Sequence, residues 1–189
     1  LSSIGVIERS IELNNNSFDI LISEYKPDLV LFDRFITEEQ YGWRVAEQCS
    51  NALRILDTED LHCLRKEREK SFKKGEKFII NQLLNSNIAK REIASIYRCD
   101  LSLMISSYEM KLLDELFNIP LSLLYQLPFL YELENVKANN VLSFTERQDF
   151  VTIGNFLHEP NYDSILYLKT EIWPLIRNQL PKATMKVFG

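Results

Sequence analysis

The stretch Ala52-Leu53-Arg54-Ile55-Leu56-Asp57-Thr58-Glu59-Asp60-Leu61-His62 decides how this chain reads. A run rich in aliphatic side chains ends abruptly in three carboxylates and one of the two histidines of the chain. A buried parallel strand looks like this where it opens into a cleft at its carboxyl end, and ligands of α/β proteins gather at such ends. The same pattern recurs at Asp28-Leu29-Val30-Leu31-Phe32-Asp33-Arg34, over residues 100–107, and at Phe150-Val151-Thr152-Ile153-Gly154-Asn155.

Upstream, Asn14-Asn15-Asn16 is a polar turn, and Asn16 is the expected cap of a short helix running to Tyr25, where Lys26-Pro27 stops it. A strand from Asp28 to Phe32 follows. Thr37-Glu38-Glu39-Gln40 has the capping-box pattern and is expected to open a helix reaching about Cys49, ahead of the strand from Ala52 to Leu56. Strand, helix, strand with short connections is a βαβ unit, which implies a parallel sheet with a right-handed crossover. Downstream, residues 88–97 show helical periodicity and residues 100–106 read as a third strand. Ser106-Ser107-Tyr108-Glu109 is a further capping box, in which Glu109 is expected to accept the Ser106 amide, and the helix it opens would bury Met110, Leu113, Leu116 and Phe117. A fourth strand is expected over 123–128. Residues 134–140 lose hydrophobicity, which places a boundary between a domain over 1–140 and a second over 141–189. The second opens with a strand over 150–153 and a loop over 154–160. A helix over 162–180 kinked at Trp173-Pro174 and a strand over 185–188 complete it. The fold class is α/β.

With 189 residues, 46% of them hydrophobic, the chain can bury a sizeable core. Its net charge of −5 argues against general nucleic-acid binding. No apolar run reaches membrane-spanning length and the start has no signal-peptide pattern, so a cytoplasmic location is expected. Leu1 and the apolar run ending at Gly189 suggest a piece of a longer protein. Cys49, Cys63 and Cys99 are odd in number and lack metal-ligand spacing, which favours reduced, packed thiols. No His/Asp cluster has ligand spacing either, so neither a metal nor a resident cofactor is expected. From Arg65 to Lys77 seven Lys or Arg stand against three Glu, a local excess of four positive charges. A solvated helix face is one reading of that segment, and peripheral contact with an anionic lipid surface is the other.

Four stretches taken in order resemble the GT-B glycosyltransferases, specifically the retaining nucleotide-sugar group that includes family four. The residues from Asp100 to Ser106 with Glu109 look like that family's strand entering a Ser-x-x-Glu helix. Ile119-Pro120 leading to Gln126-Leu127-Pro128 looks like the close of its acceptor domain. Val151-Thr152-Ile153-Gly154-Asn155 through Glu159-Pro160-Asn161 looks like the opening of its donor domain. Ile172-Trp173-Pro174-Leu175-Ile176, Leu180-Pro181 and residues 185–189 then follow in the family's order.

The resemblance implies Rossmann-like parallel sheets with helices on both faces. The chain would hold the later part of an N-terminal acceptor domain and the first βαβ of a C-terminal nucleotide-sugar domain. It implies sugar transfer from a nucleotide-sugar donor to a glycan, lipid-linked or protein acceptor, with the 189-residue piece inactive by itself. One departure stands inside the covered part. The family's donor loop commonly has Arg after its glycine and a Lys further on to hold the diphosphate, and here those places are Asn155 and the neighbourhood of Pro160-Asn161.

Candidate site residues follow from the strand ends and this resemblance together. His62 is the candidate catalytic residue. Asp33, Arg34, Asp57, Thr58, Glu59 and Asp60 are candidates for the acceptor-side cleft, and Gly154, Asn155 and Phe156 for donor binding. Each has a structural alternative. Thr58 can be a helix cap with Glu59 and Asp60 favouring the positive helix end, Asp33 and Arg34 a local ion pair, and Gly154 an ordinary strand-to-helix turn. Two other functions fit the sequence, a non-catalytic Rossmann-like interaction domain and a nucleotide-sugar epimerase on the same scaffold.

Overall fold

The computed structural model describes residues 2–130 and 142–189; the polar connection expected over 134–140 and the boundary placed there lie outside the described residues. The chain divides into two compact units, residues 1–130 and 131–189.

The first unit begins with α1 (Ser17–Tyr25), β1 (Leu29–Asp33), α2 (Arg34–Gln48), β2 (Leu53–Asp57) and α3 (His62–Lys74). A 3-10 turn over Ile80–Asn85, α4 (Asn87–Arg98), β3 (Leu101–Met104), α5 (Ser107–Phe117) and β4 (Leu124–Gln126) complete it. The four strands form one sheet in the order β1-β2-β3-β4, all parallel. The aliphatic runs therefore pair as the sequence suggests; β1 and β2 begin and end one residue later than expected, while β3 and β4 begin one residue later and end two residues earlier.

An unbroken strand order has a consequence for the two faces. Crossovers of a single hand between successive neighbours all lie over the same side of the sheet. That side holds the register row Phe32, Leu56, Ser102 and Leu124, of which Phe32 is 2% and Leu56 0% exposed. There α2 packs against β1, β2 and α4, α4 against α3, and α5 against β3 and β4. The opposite side carries Leu29, Leu31, Leu53 and Tyr125, between 44% and 56% exposed. Among the described residues of this unit the helices lie on one face, and the strand residues of the other face are largely exposed and apolar. The core gathers Val45, Leu56, Leu61, Leu83, Ile96, Met104, Leu113 and Ile119.

Polar groups fix how α4 sits. Glu38 of α2 is 2% exposed and takes the Arg98 guanidinium of α4, Nε to Oε1 at 2.8 Å. Gly42, one turn further along α2, is the residue that makes room, since a Cβ there would collide with Glu38 Oε1. Helix propensity alone would favour alanine at this position by about 1 kcal/mol.

Two helix starts differ from expectation. Asn16 makes no side-chain cap on α1; instead Asn15 Oδ1 accepts the Ser17 amide at 2.8 Å. The second helix begins at Arg34, three residues before Thr37, with Arg34 in a left-handed conformation that no local pattern announces. For α5, Ser106 Oγ does accept the Glu109 amide at 3.3 Å, but the Glu109 carboxylate turns to another helix.

The second unit is a single βαβ. The parallel pair β5 (Phe150–Ile153) and β6 (Met185–Phe188) flanks α6 (Glu159–Tyr167), a π-helical segment over Leu168–Ile172, and α7 (Trp173–Gln179). Pro174 lies in the first turn of α7, so the π segment absorbs the break that a proline forces on a continuous helix. The Trp173 ring stands edge-on to Phe150 at 5.8 Å. Among the described residues of this unit none is fully buried.

Two substitutions separate the faces of the sheet. In urea unfolding, Leu56→Ala is expected to cost about 2–5 kcal/mol, whereas Leu31→Thr, on the bare face, is expected to stay within about 0.5 kcal/mol. Similarly, Gly42→Ala is expected to destabilise in spite of its better propensity. A cycle with Glu38→Ala would reveal the coupling, because the penalty for the new Cβ should vanish once the Glu38 carboxylate is gone.

Candidate functional site

All four strands of the first unit run parallel, so β1, β2 and β3 deliver their carboxyl ends to one edge of the sheet. Asp33 and Asp57 are register partners there. Arg34, immediately after β1, clasps Asp33 with Nε to Oδ1 at 3.0 Å and Nη2 to Oδ2 at 2.8 Å, and its Nε stands 3.9 Å from Glu59 Oε2. The Asp33–Arg34 ion pair is therefore present, and the guanidinium hydrogen bonds hold the Asp33 carboxyl below its ordinary value.

Backbone strain marks the same edge. Arg34 and Glu59 have φ of 64° and 56°, values that side-chain-bearing residues adopt at a cost of about 1–3 kcal/mol each. Lys26, Gly75 and Asn118 share that conformation, but each ends a helix, where it is ordinary, and Asn14 and Asp149 adopt it in polar turns elsewhere in the chain. Arg34 and Glu59 have no such duty.

His62 opens α3 with its side chain 12% exposed. Its Nε2 lies 3.3 Å from Asp60 Oδ1, and its ring stands edge-on to Phe35 at 5.5 Å. Burial holds the imidazole below its ordinary value against the opposing pull of Asp60, and the charges of Arg65 and Arg34 add to the burial effect. Asp60 is shared, accepting Arg65 Nε at 2.7 Å. The edge thus presents an imidazole that burial holds against protonation, among carboxylates whose neighbouring guanidinium groups are engaged.

Thr58 does not cap α3. The N-cap residue is Leu61, while Thr58, 2% exposed, donates its hydroxyl to the Leu103 carbonyl at 2.8 Å and ties β2 to β3. The first amides of α3 are satisfied from other helices. Glu92 of α4 accepts His62 N at 3.0 Å and Cys63 N at 2.9 Å, and Glu109 of α5 accepts Leu61 N at 3.4 Å. Burial raises both carboxyls above their ordinary values, and these amides pull them back.

Glu92, Arg65 and Phe35 were not among the sequence candidates. A signal for Glu92 did exist: it lies three residues after Ala89 and four before Ile96, in the buried stripe of α4, where an acid without a donor would be costly. Cys63 and Cys99 are buried and free, with the Cys99 thiol pushed up to about 12 by burial, so neither offers a thiolate near neutral pH.

In the second unit, Gly154 continues the ladder by donating its amide to Phe188 O at 2.9 Å. A Cβ at Gly154 would meet the Phe156 ring at 3.4 Å, close to ordinary contact, so the position makes little steric demand for glycine. Asn155 closes the turn on itself, with Oδ1 accepting Leu157 N at 3.0 Å and its carbonyl accepting Asn161 Nδ2 at 3.1 Å. No group of three metal-ligating side chains occurs among the described residues, and no helix there is long and apolar enough to cross a membrane. In the basic segment, Lys66, Lys70 and Lys73 pair with Glu69, Glu67 and Glu69, and Arg65 with Asp60.

The class these features define is a general α/β fold with parallel sheets, of Rossmann-like type. Comparison with protein-family models, with curated proteins and with solved structures returns no match.

The electrostatics of the edge can be read directly. Followed by proton NMR, His62 is expected to titrate below about 6.5, and Asp60→Asn should lower its midpoint further, since the Asp60 charge supports the imidazolium. Because the folded state resists protonating His62, its contribution to stability is fully present above the unfolded midpoint of about 6.5 and is lost as pH falls from there through the lower midpoint of the folded protein.

Proposed function

We propose that the chain is the acceptor-side part of a glycosyltransferase, joined to the opening of a nucleotide-sugar-binding domain. The observation that supports it most is the gathering of Asp33, Arg34, Glu59, Asp60 and His62 at one sheet edge, with strained backbone at both Arg34 and Glu59. Carboxylates and a neutral imidazole accept hydrogen bonds from hydroxyl groups, and a ring nitrogen of His62 can orient or deprotonate one of them. Sugar transfer needs such acceptor positioning, together with positive potential at the departing diphosphate. In this reading His62 and Asp60 hold the reacting hydroxyl, while Arg34, Asp33, Asp57 and Glu59 border the acceptor. Thr58 supports the floor from beneath. Gly154, Asn155 and Phe156 form the donor-side turn, and the ordered motifs from Asp100 to Gly189 are the second support.

A non-catalytic interaction domain is the competing reading. It is favoured by the internal use of the Thr58 hydroxyl and of the α3 amides, which serve structure alone.

Transfer of labelled sugar by the full gene product, assayed over a panel of nucleotide sugars with pooled glycoside acceptors, separates the two. His62→Ala is expected to lower turnover by about 10²-fold or more. Unchanged turnover removes His62 from the mechanism, and a panel with neither transfer nor saturable sugar binding favours the interaction domain.

A further inference from the structure

The end of α3 far from His62 has a different character. Phe72 lies ten residues on, about 15 Å along the helix axis, and Gly75, with φ of 68°, then turns the chain back. Residues 72–77 are all exposed. Phe72 is 73% exposed and Ile79, after the turn, is 59% exposed. Hydrogen bonds hold this tip in place: Gln82 Oε1 accepts Ser71 Oγ at 3.4 Å and Ile79 N at 3.2 Å, and the Arg68 guanidinium stands over the Phe78 ring at 5.7 Å. The apolar surface continues one residue past Ile79, in a groove of about 390 Å³ lined by Ile80, Tyr108, Leu112 and Leu116. Around the tip the charge is positive, in a chain whose net charge is −5. Lys66, Lys70 and Lys73 pair with Glu67 and Glu69, but those acids are already counted in the excess of four over residues 65–77, and setting Asp60 against Arg65 leaves an excess of three. Lys74 and Lys77 make no ion pair among the described residues.

We propose that this tip docks the protein on an anionic membrane surface, with Phe72 and Ile79 entering the headgroup region and Lys74 and Lys77 meeting the lipid phosphates. Apolar side chains that enter the bilayer boundary leave water, and lysine stems can follow them while their ammonium groups stay among the headgroups. Neither signal holds a protein there by itself, since two apolar side chains bury little area and the attraction of basic residues fades within a Debye length. The tip carries both. An acidic protein would match the charge but would need a pocket for Phe72 and Ile79, whereas a fluid bilayer takes them without one. The contact lies at the opposite end of α3 from His62, so the proposal stands whether or not His62 acts on a sugar.

Sedimentation of the full gene product with vesicles tests this, using phosphatidylcholine alone and an equal mixture of phosphatidylcholine with phosphatidylglycerol. The native protein is expected to bind the mixed vesicles, to stay in solution with phosphatidylcholine alone, and to be released by raised salt. Lys74→Ala with Lys77→Ala should weaken partition to the mixed vesicles about tenfold or more, and Phe72→Ser should weaken it about tenfold without touching a charge. All three positions are exposed, so the urea midpoint of each variant should match that of the native protein and exclude a damaged fold. No binding of the native protein to the mixed vesicles, or binding that neither variant weakens, overturns the proposal. Loss in the lysine variant alone, with Phe72→Ser binding as the native protein does, describes a surface for polyanions at large, an acidic protein included, and overturns the bilayer assignment.

Discussion

The constraint on which the first unit depends is the parallel ladder β1-β2-β3-β4, paired in chain order without a reversal. Parallel pairing obliges every connection to return across the full length of the sheet, and each return is a helical crossover. Unbroken order then lays all the crossovers on one side and sends the carboxyl ends of the strands to one edge. The buried row through Phe32, Leu56 and Leu124, the bare row through Leu31 and Leu53, and the cluster around Asp33, Glu59 and His62 all follow from that pairing. A parallel sheet is ordinarily covered on both faces, so the bare row is an unusual exposure of leucine on neighbouring strands.

Within the covered layer α4 is the element to which the others are fixed. Its Arg98 receives Glu38 from α2, and its Glu92 reaches across to the first amides of α3. Both carboxylates are almost wholly buried, at 2% and 1% exposure. Apolar contact alone leaves packed helices free to slide by a fraction of a turn, whereas a buried carboxylate parted from its donors costs several kcal/mol. These two acids therefore set the height of α4 against its neighbours. Through Glu92 that height reaches the turn that carries His62. Packing and site geometry are linked at this one residue.

Much of the fold was legible because aliphatic runs of four or five residues, bounded by polar clusters, state their own strand character. The two strands of the second unit were placed to the residue. The Ser106 cap and the break near Pro174 were visible for a similar reason, since each is a local chemical requirement. What escaped was set by tertiary partners. Thr58 reads as a cap, but its hydroxyl is claimed by β3, 45 positions away. Glu109 reads as the reciprocal half of a capping box and instead serves α3. Arg34 reads as the end of a strand and starts a helix in a conformation usual for glycine or asparagine. For the site, the charged residues after β1 and β2 could be found from the strand pattern, while Glu92 belongs to a helix 30 residues from His62.

The balance of charge at the two candidate rims separates the demands of the proposed reaction. Orienting an acceptor hydroxyl needs hydrogen-bond acceptors held firmly, and the edge around His62 supplies them in excess, with its guanidinium groups already paired. Stabilising a departing diphosphate needs uncommitted positive charge or free amides. The loop over 154–160 contains neither Lys nor Arg, and Asn155 spends its side-chain oxygen on its own turn. The first turn of α6 is also largely engaged, as Asn161 N and Tyr162 N both donate to the His158 carbonyl. Neither rim, taken by itself, offers uncommitted positive charge among the residues described at it. It follows that positive potential for a diphosphate is the property that distinguishes a transferase from a sugar-recognising module of the same fold, and any site supplying it must draw on groups other than these.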